Sequence, residues 1–219
     1  NMAYFDHHPD ILLPSFSPDR NSSNDGVLVK NLFKRGKIRD RYFENAMSFS
    51  KYNIQGDDRP DNVAFDLYGD SDLDWVVLLS NNIINVRDEW PMSQYDFQRF
   101  TDNKYTSEQI SQIHHYETIE IRDPDGILLL DGGSEVDADF TFEYSYFGTN
   151  YSLSGSDVIS SFTNYDYEVS VNEKKRNIFV LRKEYLDMIM SDMKDIMTYK
   201  DSSQYINKKL KTGDNIRNK

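Results

Sequence analysis

Apolar and polar positions follow their most regular pattern between residues 52 and 93. Tyr52-Asn53-Ile54-Gln55 alternates with the period of a half-buried strand. Gly56-Asp57-Asp58 predicts a turn, and Pro60 suits the first position of a helix, where its missing N–H costs nothing. Asp58 is the expected N-cap, and Asp61 adds negative charge where the helix dipole favours it. Val63, Ala64, Leu67 and Tyr68 fall at helical spacing, and Gly69 is the natural stop. A second helix is predicted over residues 72–80, capped by Asp70 or Ser71 and packed through Leu73, Val76, Val77 and Leu79. Ile83-Ile84-Asn85-Val86 then predicts a returning strand, so the order is strand, helix, helix, strand.

Further along, residues 93–105 predict a helix carrying Tyr95, Phe97 and Phe100. From His115 the period changes to that of strands, with turns at Pro124-Asp125-Gly126 and Asp131-Gly132-Gly133. Residues 152–163 are Ser-rich and predict no clear element. Tyr167, Val169 and Val171 alternate as in a strand, and residues 178–181 extend again. A final helix is predicted over residues 182–199, with Leu186, Ile189, Met190, Met193, Ile196 and Met197 on one stripe. Four methionines there (Met188, Met190, Met193, Met197) give a face as adaptable for a partner as for the protein's own core.

The first 30 residues break from this periodicity. They hold Pro9, Pro14 and Pro18 and the Ser/Asn-rich residues 21–24, and proline holds itself and its predecessor in extended forms. Ile11, Leu12, Leu13 and Phe16 are too apolar for a solvated tail, so the segment reads as an extended peptide docked on another surface. A basic stretch follows, with Lys34, Arg35, Lys37 and Arg39, open as a contact for an acidic partner or as a solvated surface. The polar tail from residue 200, basic at Lys208, Lys209, Lys211, Arg217 and Lys219, is expected to be mobile or ordered by a partner. The expected segments are 1–50 (arm and basic linker), 51–92 (the strand–helix–helix–strand unit), 93–181 (a helix and a β-rich region) and 182–219 (helix and tail). The fold class is α+β.

Composition narrows the function. The 219 residues carry 25 Lys+Arg against 37 Asp+Glu, a net charge of −12, which argues against a general nucleic-acid backbone binder. With no cysteine there are no disulfides and no thiol chemistry. The longest apolar run, residues 75–79, falls far short of the roughly 20 needed to span a bilayer. No charged-then-apolar leader opens the sequence, so a soluble protein without a secretory signal is expected. Fifteen Tyr and 13 Phe sit beside a hydrophobic fraction of only 38%, a balance that suits surfaces wet before assembly and buried afterwards.

Candidate chemistry is sparse. Asp70-x-Asp72-x-Asp74 opens like a calcium loop, but Trp75 stands where glycine makes the turn and Asn81 where a bidentate Glu is required. His7-His8 and His114-His115 are adjacent pairs whose rings diverge in regular structure, and they are expected as exposed surface residues. There is no Gly-x-Ser-x-Gly elbow and no phosphate-cradling Gly-x-x-x-x-Gly-Lys loop. No carboxylate pair stands out among 37 acids. The expectation is a protein with no catalytic residues, no metal and no cofactor.

The stretch Tyr52-x-Ile54 … Gly56-Asp57-x-Arg59-Pro60-Asp61-x-Val63-Ala64 … Tyr68-Gly69, followed by Leu73-Asp74-Trp75-Val76-Val77-Leu78-Leu79, resembles a LysM module. Its Arg-Pro variant looks more like the LysM-like domains of phage tail and baseplate proteins than the sugar-binding kind. With the arm, the β-rich region and the amphipathic C-terminal helix, the chain resembles the small baseplate wedge subunit of T-even-type contractile-tailed phages. The resemblance does not extend over residues 115–164.

That resemblance implies a LysM-like βααβ unit and a non-enzymatic structural protein of the virion tail baseplate, assembled in the host cytoplasm. It implies wedges joined to one another around the central hub through multivalent contacts. The partners would be other baseplate wedge and hub proteins, six copies to a baseplate, with no nucleic acid and no membrane. Candidate contact residues are Ile11, Leu12, Leu13, Phe16, Arg59, Tyr68, Trp75, Trp90, Met188, Met190, Met193 and Met197, with core packing the competing role for each of Arg59, Tyr68, Trp75 and Trp90. The alternative is a LysM-type peptidoglycan or glycan binder presenting the loops at 56–59 and 81–84 to a sugar. A third class, a glycoside hydrolase with a LysM targeting unit, lacks an identifiable carboxylate pair.

Overall fold

The computed structural model of the chain describes residues 3–14, 26–44 and 46–213. Phe16, Pro18, residues 21–24 and the basic end at 217–219 lie outside them. The chain divides into two compact units: a terminal unit built from Asn1–Trp90 and Arg176–Lys219, and an inserted unit, Pro91–Lys175.

In the terminal unit, β1 (Asp10–Pro14) pairs antiparallel with β2 (Gly26–Lys30), and the Lys30 ammonium lies 3.0 Å from the Asp10 carboxylate directly across the ladder. After a short helix α1 (Asp40–Phe43) comes β3 (Phe49–Asn53), a few residues ahead of the predicted position. Helix α2 (Pro60–Tyr68) starts with proline at its first turn, as predicted, but its N-cap is Arg59, not Asp58, and makes no side-chain cap bond. It stops where Gly69 turns left-handed (φ +79°) and donates its N–H to Phe65 O, a conformation that a β-carbon would strain. Asp70 then caps a 3-10 turn by accepting the Asp72 N–H at 2.9 Å, and α3 (Asp74–Ser80) follows.

The strand expected at 83–86 does not form. Asn82 is left-handed (φ +54°), the Glu89 carboxylate accepts the N–H groups of Ile84 and Asn85, and Asn85 accepts the Arg87 N–H at 3.2 Å. Those local bonds start a short helix, α4 (Val86–Glu89), where a strand would have needed ladder partners.

The inserted unit opens with α5 (Gln94–Lys104), capped by Ser93 as its Oγ accepts the Asp96 N–H at 3.1 Å. The β-rich region follows: β4 (Ile113–Thr118), β5 (Ile121–Arg122), β6 (Leu128–Leu130), β7 (Glu135–Val136), β8 (Thr141–Tyr146), β9 (Thr149–Ser154) and β10 (Ile159–Thr163). They form a three-stranded sheet in the order β10-β4-β7 and two hairpins, β5-β6 and β8-β9. The core is small: Ile121, Val158 and Ile159 are buried, with Tyr116, Leu129, Val136 and Phe142 among the residues packed on them.

Residues 164–174 correct the strand predicted from Tyr167, Val169 and Val171; they form α6 (Asn164–Lys174). A reciprocal capping box, Thr163 with Asp166, satisfies the first amides and fixes the helix start. Inside this unit the nearly buried Glu168 accepts from Lys104 Nζ at 2.5 Å and from the Tyr105 hydroxyl at 2.7 Å.

The chain then returns to the terminal unit. β11 (Asn177–Leu181) pairs antiparallel with β3, from Asn177 opposite Asn53 to Leu181 opposite Phe49, and so supplies the partner strand that 83–86 does not. A 3-10 turn leads into α7 (Leu186–Ile196), shorter at both ends than the predicted 182–199. The tail corrects its expectation through residue 213. β12 (Tyr205–Asn207) and β13 (Leu210–Thr212) are ordered strands, and β13 runs parallel to β1, completing a sheet in the order β12-β13-β1-β2.

One core holds this unit together: α2, α3, β11 and α7 contribute Val63, Val76, Val180 and Ile189, each 2% exposed or less. Fully burying such a side chain is worth about 1.5–3 kcal/mol.

Candidate protein–protein interface

Six of the expected contact residues lie in that core. Tyr68 is 7% exposed and donates its hydroxyl to Leu181 O at 2.9 Å, and burial pushes its phenol well above the ordinary range. Trp75 packs at its ring against Tyr4 (6.1 Å between centroids) and His7 (5.5 Å). Trp90 is buried and donates Nε1–H to Asp58 O at 2.9 Å. Met190, Met193 and Met197 are buried, and α7 comes so close to Gly36 that an added β-carbon there would overlap Met193. For these six the packing role replaces the contact role, because an apolar side chain already buried leaves no surface for a partner.

The remaining candidates divide. Ile11, Leu12 and Leu13 are half-buried in β1, whose ladder partners are β2 and β13 of the same chain, so what the arm docks on is its own tail. Met188 is 49% exposed on α7, and Arg59 is exposed beside Asp61, at 3.3 Å. Phe16 lies outside the described residues.

The histidine pairs also depart from expectation. His8 is buried, with Nδ1 3.2 Å from Tyr4 O and its ring edge-on to Tyr4. His114 stacks on Tyr167 at 4.1 Å, and its Nδ1 lies 2.9 Å from His115 Nδ1; His115 Nε2 in turn meets Glu117 at 3.0 Å. Their rings converge because the ladder shifts register there, Phe162 opposite His115 but Thr163 opposite Ile113. Asp70 and Asp74, from the calcium-like stretch, are used locally as acceptors for the backbone N–H groups of Asp72 and Trp75. Among the described residues no group of three His, Cys, Asp or Glu side chains could hold a metal ion.

The basic stretch is largely tied down. Arg39 and Arg41 reach the Asp192 carboxylate at 3.3 and 2.7 Å, the Tyr42 hydroxyl donates to the same oxygen, and Lys37 pairs with Asp40 at 2.6 Å. Lys34 differs. It donates to Thr198 O at 2.5 Å at the wall of a cavity of about 430 Å³ lined also by Arg39, Asp195, Tyr199 and Lys200. Beside it Phe33 is 98% exposed and Leu32 66%. In the inserted unit the β8–β9 hairpin stacks Phe142, Tyr144 and Tyr151, and its tip, Phe147, is 89% exposed with φ +44°. Sequence reasoning passed over Phe33 and Phe147. Each stands beside turn or basic residues, Asn31-Leu32-Phe33-Lys34 and Phe147-Gly148, where a large apolar side chain has no periodic partners.

The family comparison gives the class: residues 16–123 match a family model of phage base plate wedge proteins. The chain is thus a baseplate subunit, of a structural family, and its place is the virion tail. The matched model is described as base plate wedge protein 53, and the match supports a baseplate wedge subunit. No curated protein matches the chain. Among the described residues no helix is long and apolar enough to cross a membrane.

Proposed function

We propose that the protein joins neighbouring wedges to one another around the central hub of a contractile tail, as one of six copies, without catalysing a reaction. The observation that carries this reading is the family match over residues 16–123. The exposed Phe33, Met188 and Phe147 give the chain several separate contact points. Contacts that are each modest add up when one chain links them, because the second binding event becomes intramolecular. We further infer that β3, α2, α3 and β11 make a LysM-like unit whose last strand is displaced by the inserted unit. Its support is the antiparallel β3–β11 pair flanking two helices. The unit then serves as a scaffold for protein contacts. Nothing favours the glycan-binding alternative, and the predicted returning strand on which its second loop depended is a short helix instead.

Sedimentation velocity of the chain alone and mixed with purified wedge components tests the reading. The expected outcome is a shift of the chain into a larger, sixfold assembly. A chain that sediments alone beside intact wedges would remove the wedge-joining role.

A further inference from the structure

Tyr199 sits between two cations: Lys34 Nζ is 5.2 Å from its ring centroid and Lys211 Nζ 5.4 Å. Lys200 follows Tyr199 in the chain and lines the same cavity as Lys34. Against these ammonium groups and Arg39, the described lining sets a single carboxylate, Asp195, while Arg39 already leans on Asp192. Burial, and then the charges of Lys211 and Lys200, draw the Lys34 ammonium below its ordinary value. The crowding is of like charges, and an anion placed among them would relieve it.

The neighbouring loop is built to hold apolar side chains outward. Asn31 is 6% exposed and both ends of its amide are engaged: Nδ2–H donates to the Tyr199 hydroxyl at 2.9 Å, and Oδ1 accepts the Phe33 N–H at 3.2 Å. The Asn31 N–H donates in turn to Pro9 O at 2.9 Å. The turn is therefore fixed from below, and Phe33 stands in solvent on a rigid base. A preorganised aromatic loses little conformational freedom on binding, and an aromatic anchor ringed by polar groups is the usual make-up of an energetically dominant contact.

We propose that Leu32, Phe33, Lys34, Tyr199, Lys200 and Lys211 form a docking site for an acidic segment of a neighbouring baseplate protein, with Phe33 as its apolar anchor and Lys34 and Lys200 pairing its carboxylates. The partner's being a baseplate protein rests on the wedge reading above; its acidic and apolar chemistry rests on this site. Charge complementarity selects the occupant. The protein as a whole is at −12, so a local cationic cavity on it sorts partners by sign.

Two measurements on the full chain test this. The first is fluorescence anisotropy with a labelled peptide of alternating Glu and Leu, and its Lys and Leu counterpart as control. The acidic peptide is expected to bind and the basic one not. Lys34→Gln with Lys200→Gln, and separately Phe33→Ser, each weaken binding by about tenfold. Lys51→Gln with Lys183→Gln, the same charge removed from exposed positions elsewhere, leaves it within about twofold. Absence of acidic-peptide binding, or an equal loss from the Lys51/Lys183 pair, overturns the site.

The second measurement is sedimentation of the chain alone and with wedge components. Self-association abolished by Lys34→Gln with Lys200→Gln would make the occupant a second copy and overturn the neighbouring protein as partner. Wild-type entry into wedges that the same double variant weakens is the expected result. Entry that the variant leaves unchanged overturns this site while the wedge role stands. No entry by the wild type overturns the wedge role, whatever the peptide does.

Discussion

The two units solve the problem of folding with opposite resources. The terminal unit carries 21 acidic and 20 basic side chains and buries a core that runs through α2, α3, β11 and α7; the inserted unit carries 16 acidic against 5 basic, and its buried apolar cluster is small, Ile121, Val158 and Ile159, with Phe97 buried apart from it. Nearly all of the net negative charge is therefore in the inserted unit, and its own repulsion has the least apolar burial to oppose it. A unit with few buried apolar side chains belongs to the low-stability end of a structure. Its β8–β9 hairpin also carries Phe147 at the tip, 89% exposed. Charge and a small apolar core are compatible with a surface element whose partner completes its burial.

Core truncations give the sharpest test of that contrast. Met193→Ala is expected to cost the terminal unit about 3 kcal/mol, and Val158→Ala about 2 kcal/mol in the inserted unit. In scanning calorimetry each should move its own transition, with the inserted unit melting first. A single transition shifted equally by both would erase the division. Next in size is the buried carboxylate of Glu168. Lys104→Met leaves it with Tyr105 alone, and because Lys104 is itself half exposed the cost is about 1–2 kcal/mol, read as a lower midpoint of the inserted unit in urea.

A gain is expected at the hairpin tip. Phe147 holds φ +44°, a region that bulky side chains enter only under strain, so Phe147→Asn should stabilise the inserted unit by about 0.5–1 kcal/mol. The same change should weaken entry into wedges if the tip is a contact. A smaller effect is ionic. Added salt screens the 16 acids, so it should raise the stability of the inserted unit by about a few tenths of a kcal/mol more than that of the terminal unit, read from urea unfolding with and without salt.

The smallest effect concerns Asp74 in the terminal unit. Burial raises its carboxyl above the usual 3.8, the Trp75 N–H opposes this, and Asp61 and Asp72 add to it. The folded state thus holds the proton more tightly than the unfolded chain. Its stabilising contribution is full below pH 3.8 and is lost as pH rises through the raised value. Asp74→Asn should flatten that part of the stability–pH curve and raise the midpoint above it, measured by urea unfolding across weakly acidic pH.

What the sequence disclosed follows from how local each determinant is. Pro60 and Gly69 bounded α2 because proline and glycine act on their own backbone. The strand at 83–86 was misread because Ile83, Ile84 and Val86 look like a strand, while Asn85 and Glu89 capture the amides that a ladder would need. Alternation at Tyr167, Val169 and Val171 hid a helix whose true signal was the Thr163–Asp166 box at its start. Distance along the chain hid the rest. No pattern near β3 names β11 as its partner, and the segregation of charge appears only once the boundaries at 90 and 176 are known. Among the expected contacts, apolar character alone could not separate a core methionine such as Met193 from the exposed Met188.

The register of β1 carries a consequence in time. Asp10, Ile11 and Leu12 pair with Leu210, Lys211 and Thr212, and β3 waits for β11, whereas the inserted unit is made of consecutive residues. On the ribosome, which adds about 5–20 residues per second, the inserted unit can therefore fold while the terminal unit still lacks β11, α7 and β13. Lys34 meets Tyr199 only after that last stretch has emerged. A nascent chain thus cannot display the Lys34–Tyr199 cavity early, and capture of a neighbour there is deferred until translation has passed residue 212.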